Sequence, residues 1–183
     1  AYGEHALSTF MVAGSKTLPL YNKVKAVRFG GDVAYTNKVS AGAFRGYGAI
    51  QGLFGLESAI DQLAARLGMD PIELRKKNMI REGETSEVFR IMGEGTEGVA
   101  MTVESCKLDY CVARGMELVG WDPGRTRWEA GPGKVRARGM AIAMQGSSIP
   151  LIDMGSARIE LQDGGCFKLH VGATDLGTGS DTI

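Results

Sequence analysis

Cysteine and histidine are scarce: the thiols are Cys106, Cys111 and Cys166, and the imidazoles are His5 and His170. An odd number of cysteines without metal-ligand spacing excludes a paired disulfide framework and gives no zinc pattern. Cys106 and Cys111 fall on an expected helix at a spacing that does not share a face, so all three are read as reduced, partly buried thiols. No sign of charge dominates, because 21 basic residues balance 21 acidic ones. That balance argues against a basic nucleic-acid footprint and against an acidic solvating tail. No apolar run approaches the ~18 residues of a membrane span, and no signal peptide is visible. The chain is therefore expected to be soluble and cytoplasmic, without a membrane or nucleic-acid partner. What it does have is glycine, 27 residues of it in 183, and its clusters predict tight turns and close backbone approaches.

Two β-prone runs, Lys23 to Phe29 and Val33 to Val39, flank Gly30-Gly31-Asp32 and predict a hairpin. After the glycine-dense stretch Gly42 to Gly48 the period changes. Ile50, Leu53, Phe54, Ile60, Leu63, Ala64 and Leu67 share one helical face, leaving Glu57, Asp61, Gln62 and Arg66 for the polar side. Gly68 suits the left-handed stop. Asp70 as N-cap, Pro71 at the first helical position and Glu73 as a capping-box partner start a second helix, running to about Asn78. Arg81 to Gly98 reads as a linker or surface excursion. Thr102 is expected to cap a third helix ending at Val119, with Gly120 as its stop, and Pro123 to Gly133 is read as a loop. Strands are expected over Val135 to Met144, Gly155 to Gln162 and Cys166 to Val171. The last two alternate apolar and polar residues around an Asp163-Gly164 turn, giving one buried and one wet face. The fold class is α+β, with the seam between two subdomains near residue 82. Ser180 reads as the N-cap of a helix just beginning where the sequence ends, as in a chain cut from a longer one.

Three segments carry chemistry-bearing residues. In Ala43-Phe44-Arg45-Gly46-Tyr47-Gly48, followed by Gln51, glycines on both sides of Tyr47 allow a sharp bend. Such a bend would present an arginine fork able to hold an oxyanion and an aromatic ring able to stack on a flat substrate. The same residues also fit an ordinary surface arginine and a packed tyrosine. In Ala173-Thr174-Asp175-Leu176-Gly177-Thr178-Gly179-Ser180, a strand leads into a glycine turn whose amides suit a phosphate or a heteroatom-rich ring. It lacks the Lys-Ser/Thr of a P-loop and the spacing of a dinucleotide fingerprint, and a plain turn is the alternative. Gln145-Gly146-Ser147-Ser148 has no histidine and acid placed beside it for a serine nucleophile, and reads as a pocket-lining loop.

Together these segments become specific. Ala43 to Gly52 resembles the Ala-Phe-Arg-Gly-Phe-Gly-x-x-Gln segment of xanthine dehydrogenases and aldehyde oxidases. Leu67 to Asn78 is similar to the helix pair that follows it, with its Arg-x-x-Asn ending, and Arg81-Glu82-Gly83-Glu84 continues the likeness. Gly172 to Gly179 resembles the family's Gly-Gly-x-Glu-x-Gly-Gln-Gly cofactor loop.

The resemblance implies an internal piece of the large molybdenum-cofactor subunit. Residues 1–82 would be the C-terminal part of a first molybdenum-cofactor-binding subdomain and residues 83–183 the N-terminal part of a second. It implies oxidative hydroxylation of an N-heterocycle, or of an aldehyde, with water-derived oxygen. It also implies molybdopterin or its cytosine dinucleotide form, with Fe-S clusters and FAD on other domains or subunits. Arg45 would orient substrate and stabilise developing charge, and Tyr47, Phe44, Gly146 and Ser147 would contact it. Gly46, Gln51, Leu176, Gly177, Thr178 and Gly179 would line the cofactor, and the protein itself would supply no metal ligand. The remaining segments of the subunit and the Fe-S and FAD subunits are the implied partners, in an oligomer. Thr178 stands where the family commonly has Gln, and no Phe near Gly146 to Ser148 completes an aromatic sandwich. The family's base-glutamate element does not occur in these residues, so this stretch is expected to be inactive alone. Arg45-Gly46-Tyr47 lacks the cysteine of the carbon monoxide dehydrogenase relatives.

Overall fold

Helices come first and short hairpins last in the computed structural model, which describes residues 6–39, 45–93, 97–144, 155–173, 175, 177, 179, 180 and 182. The order is α1 (Ala6–Ser15), a 3-10 turn (Leu18–Leu20), α2 (Ala49–Leu67), α3 (Pro71–Asn78), α4 (Glu87–Ile91), α5 (Leu108–Val119), β1 (Arg127–Glu129), β2 (Val135–Ala137), β3 (Ala157–Leu161) and β4 (Phe167–Val171). This mixture of helices with two separate two-stranded sheets is α+β. Two compact units divide it, residues 1–145 and 146–183.

The α2–α3 corner follows from its capping chemistry. Gly68, at φ 62°, ends α2 in the left-handed conformation, with the backbone amides of the cap reaching the Ala64 and Ala65 carbonyls. Two residues later the Asp70 carboxylate accepts the Ile72 amide at 2.7 Å, with Pro71 supplying the preset φ. Glu73 pairs with Lys76 at 2.7 Å instead of closing a capping box. The core of the larger unit gathers Leu20, Tyr21, Ile72, Met79, Val112 and Ile142, with Leu53, Leu56 and Ile60 of α2 against it. Burying each such aliphatic side chain contributes about 1.5–3 kcal/mol. The buried stripe of α2 differs from the one its periodicity suggests. Ile50, Phe54, Leu63 and Leu67 are exposed, whereas Glu57, assigned to the polar side, is buried.

The stretch from Arg81 to Gly98, expected as a linker, holds structure. Ser86 accepts the Val88 amide and caps α4, which buries Val88 and Phe89, while Thr85 bridges to Thr102. Thr102 is therefore occupied in that bridge. The helix after it starts at Leu108 without a capping side chain, placing Leu108, Val112 and Met116 on one face toward the core. Cys106 thus precedes the helix, and all three cysteines are free thiols. Arg81 joins α3 to α5, donating to both Asp109 oxygens at 2.9 and 3.3 Å and to the Lys76 carbonyl at 2.6 Å.

Glu84 ties this region to the start of the chain through Lys23, the Asn22 amide at 3.0 Å and the Arg81 N–H at 2.9 Å. The Lys23 ammonium leads in lowering the carboxyl from 4.5 to about 2; partial burial opposes it, and the Asn22 and Arg81 donors assist. A folded value below the unfolded one gives stability that is complete above 4.5 and disappears as pH falls from there toward about 2. Glu84→Gln is accordingly expected to flatten this part of the acid limb, read as urea midpoints at stepped pH. Equal slopes for both proteins would disprove the linkage.

The predicted hairpin at residues 23–39 does not form. Those residues carry no ladder, and Val24, Val27, Val33 and Tyr35 are exposed, although Phe29 stacks on Phe10 at 4.8 Å. Extended, β-branched sequence makes a strand only where another edge supplies hydrogen bonds. Val135 to Met144 is a strand only as far as Ala137, and its partner β1 lies inside the stretch read as a loop. The β3–β4 hairpin has the expected turn and alternation, and its register puts Ala157↔Val171, Ile159↔Leu169 and Leu161↔Phe167 on one face. That face is open, with Phe167 72% and Leu161 70% exposed, so the expected buried side has no cover among the described residues.

Candidate functional site

The turn Arg45–Gly48 immediately precedes α2 and is held in an uncommon backbone. Gly46, Tyr47 and Gly48 have φ of 97°, 44° and 89° in succession. For Tyr47 the left-handed region costs about 1–2 kcal/mol, so the flanking contacts must impose it. They are visible: the Ala49 amide closes on the Gly46 carbonyl at 3.0 Å, and the Gly52 amide on that of Gly48 at 3.0 Å. A Cβ at Gly48 would lie 2.0 Å from the Thr9 carbonyl oxygen, and one at Gly52 would lie 2.5 Å from that of Ala13. Two glycines one turn apart thus let α2 lie directly on the backbone of α1. The result leaves Arg45 exposed, Tyr47 half-buried and Gln51 exposed on the first turn of α2. Strain of this kind is a reason to look for function.

In the smaller unit the Asp175 carboxylate accepts the Gly177 amide at 2.6 Å. Gly177 and Gly179 have φ of 87° and 81°, and a Cβ on Gly179 would meet nothing within 4 Å among the described residues. Left-handed glycines after a strand suit a group read by backbone amides, while the amide of Gly177 itself is engaged by Asp175. Phe44, Gly146, Ser147, Leu176 and Thr178 lie outside the described residues. So does most of the helix expected from Ser180, where the Thr182 amide reaches the Gly179 carbonyl at 2.9 Å. Among the described residues no three His, Cys, Asp or Glu side chains cluster to hold a metal ion, and no helix is long and apolar enough to cross a membrane.

Sequence reasoning missed Glu57 and Arg75 as a pair. Glu57 Oε2 accepts from Arg75 Nε at 2.8 Å and from the Ile142 backbone amide at 3.0 Å, while Oε1 accepts the Tyr21 hydroxyl. Arg75 also donates to Asp61 at 2.7 Å, to the Pro71 carbonyl at 3.1 Å and to the Glu57 carbonyl at 3.2 Å. Arg75 is 1% exposed and Glu57 6%. Burial pushes the Tyr21 phenol up, and its hydrogen bond to Glu57 pushes it further. For Arg75 burial works against the charge, but the hydrogen bonds to Glu57 and Asp61 outweigh it and raise its pKa. Beside this cluster α2 and residues 140–143 enclose a groove of about 430 Å³, lined by Ile50, Leu53, Phe54, Glu57 and Ile142. The only sequence trace of the pair was the Arg-x-x-Asn ending, which marked Arg75 without its partner.

Residues 1–79, which include the strained turn and both partners of the buried pair, match the family described as molybdopterin cofactor-binding domain. Over its whole length the chain is 34% identical to a protein named probable hypoxanthine oxidase XdhD from Escherichia coli (strain K12), covering 19% of it. It is 32% identical, again over its whole length, to the xanthine dehydrogenase molybdenum-binding subunit of Escherichia coli O157:H7, covering 23% of that protein. An aldehyde oxidoreductase of Megalodesulfovibrio gigas is 32% identical over 88% of the chain, which covers 16% of it. Residues 1–79 are thus molybdopterin cofactor-binding domain sequence, and the chain is similar to a xanthine dehydrogenase molybdenum-binding subunit and an aldehyde oxidoreductase. It spans about a fifth of the length of the first two relatives. No solved structure matches it.

Proposed function

We propose that the chain serves a molybdenum hydroxylase that hydroxylates an N-heterocycle of the xanthine, purine or nicotinate type. The observation that carries the reading is the turn at residues 45–48. Strained backbone there presents Arg45 and Tyr47 at the head of a long helix, within the residues that match the molybdopterin cofactor-binding domain. The relatives named for purines match over the whole chain and the aldehyde oxidoreductase over 88% of it, which supports the heterocycle over the aldehyde.

In this reading the Arg45 guanidinium holds the substrate's oxygen or ring nitrogen and stabilises charge that develops on it. The Tyr47 ring, with Phe44, stacks on the planar substrate, and Gly146 and Ser147 are proposed as further substrate contacts. Gly46 and Gln51, and separately Leu176, Gly177, Thr178 and Gly179, hold the molybdenum cofactor, as molybdopterin or its cytosine dinucleotide, mainly through the backbone. When bound, that cofactor supplies the two-electron oxidising centre. Residues 1–82 and 83–183 belong to successive cofactor-binding subdomains. Electrons leave to Fe-S and FAD domains or subunits of a cytoplasmic oligomer, and the remaining segments of the subunit complete the catalyst.

The test is made on the full-length protein expressed with its redox partners. Molybdenum content is measured beside hydroxylation of xanthine, nicotinate and a simple aldehyde. Arg45→Ala is expected to lower turnover by about 10²–10³-fold, and Tyr47→Ala to weaken substrate binding, both with molybdenum retained. Preference for the aldehyde would move the substrate assignment to the aldehyde oxidoreductases. A parent protein without molybdenum would leave a non-catalytic binding or assembly module.

A further inference from the structure

The turn that carries Arg45 and Tyr47 is held at two places, once by backbone and once by a side chain. Against α1 the fit is glycine to carbonyl, at Gly48 and Gly52. At Gly46 it is different. A Cβ there would lie 2.3 Å from Cγ1 and 2.5 Å from Cδ1 of Ile50, and its third neighbour, at 3.7 Å, is the Cβ of the same residue. The isoleucine side chain therefore lies across the Cα that joins Arg45 to Tyr47. Gly46 needs such a cover. Without a Cβ it populates negative φ as readily as its observed 97°, and a tyrosine at φ 44° favours negative φ more strongly still. Obstructing those alternatives keeps the turn in place. Isoleucine suits the task, because a β-branched side chain in a helix keeps essentially one χ1 rotamer and so forms a stiff block. The core does not account for it: Leu53, Leu56 and Ile60 of α2 pack there, while Ile50 is 51% exposed. Its outer flank lines the groove of about 430 Å³.

We propose that Ile50 is a positioning residue whose side chain, packed on Gly46, locks the turn that presents Arg45 and Tyr47. The consequence for substrate rests on the function proposed above; the lock itself does not. Ile50 touches no reacting atom in this account, and its signature follows from populations. A released turn visits other backbone states, and substrate binds only the fraction that keeps the wild-type geometry. KM then rises by the inverse of that fraction. Bound substrate restores the geometry, so kcat changes little. That pattern differs from Arg45→Ala, where turnover falls because the guanidinium is gone.

Three variants of the full-length protein, expressed with its redox partners, separate this role from plain stabilisation. Ile50→Ala removes the atoms that cover Gly46, and Ile50→Val keeps the γ branch that lies nearest to it. Leu63→Ala is the control, on the same helix and exposed to a similar degree but remote from the turn. Alanine is the best helix former and Ile50 is half exposed, so Ile50→Ala retains the fold. Its KM is expected to rise about tenfold, with kcat within about threefold and molybdenum content unchanged. The Ala49 amide, which closes on the Gly46 carbonyl at 3.0 Å, should exchange at least about fivefold faster. Ile50→Val and Leu63→Ala are both expected to match wild type in exchange and in KM. Equal behaviour of the valine and alanine variants would overturn the proposal, and so would an equal change in Leu63→Ala, since neither follows from a block at Gly46. Faster exchange with an unchanged KM would break the link between the lock and the substrate. If the protein binds no molybdenum, the exchange comparison still tests the lock, and only the proposed function falls.

Discussion

Arg75→Met is expected to cost about 3–5 kcal/mol of folding stability, because it leaves the Glu57 carboxylate buried without its countercharge. The magnitude comes from the asymmetry between breaking a buried pair and replacing it. Arg75 is buried and donates to Glu57, Asp61 and the Pro71 carbonyl, and a methionine stem would restore part of its volume but none of those bonds. Adding Glu57→Leu should recover part of the loss, since no charge stays buried, although the Tyr21 hydroxyl and the Ile142 amide lose their acceptor. By contrast Lys76→Met, which breaks an exposed pair with Glu73 on the same helix, should change stability by less than about 1 kcal/mol. Urea midpoints of the four proteins at constant m-value provide the comparison. A loss below about 1 kcal/mol for Arg75→Met would show that water or a neighbouring cation reaches Glu57 in solution.

The second large effect lies at the contact between α1 and α2. Gly48→Ala is expected to destabilise by about 3 kcal/mol or more, combining overpacking with a forbidden backbone. Its new Cβ would stand 2.0 Å from the Thr9 oxygen at a φ of 89°. Gly52→Ala has ordinary helical geometry but a Cβ 2.5 Å from the Ala13 oxygen, and should cost about 1–3 kcal/mol. Gly55→Ala is the internal control. It sits on the same helix with nothing within 4 Å, and should stabilise by about 0.5–1 kcal/mol. Opposite signs for two glycines three residues apart would establish backbone contact at Gly52, and equal signs would remove it.

The sequence made α2, α3 and the β3–β4 hairpin legible because each carries local chemistry at its ends: Gly68, Asp70-Pro71 and Asp163-Gly164. The turn at Arg45 was legible for the same reason, since glycines on both sides of Tyr47 mark a bend. What escaped reading depended on partners distant in the chain. Hydrophobic periodicity assigns a charged residue to the solvent side, so Glu57 could not be placed in the core without knowledge of Arg75 and Ile142. The β-prone run from Lys23 to Val39 advertised strands, but propensity does not supply the second edge. The helix after Thr102 begins only at Leu108, and Lys107 at its N-cap position makes no capping hydrogen bond. A start without a cap leaves no mark in sequence. Ser86, in contrast, was a readable cap within a stretch dismissed for its glycines and glutamates.

The two tryptophans give this chain a built-in optical asymmetry. Trp121 donates its indole N–H to Asp70 at 3.1 Å, and the Trp128 ring lies 4.8 Å from the guanidinium of Arg138 and 5.6 Å from that of Arg125. Both fluorophores belong to the unit of residues 1–145, and residues 146–183 contain none. Emission from a denaturing sample therefore records the helical unit alone. A melting curve that looks complete by fluorescence carries no signal from the β3–β4 hairpin or the glycine turn beyond it. Far-ultraviolet dichroism recorded in the same experiment reports both units, and any gap between the two midpoints measures how independently the smaller one unfolds.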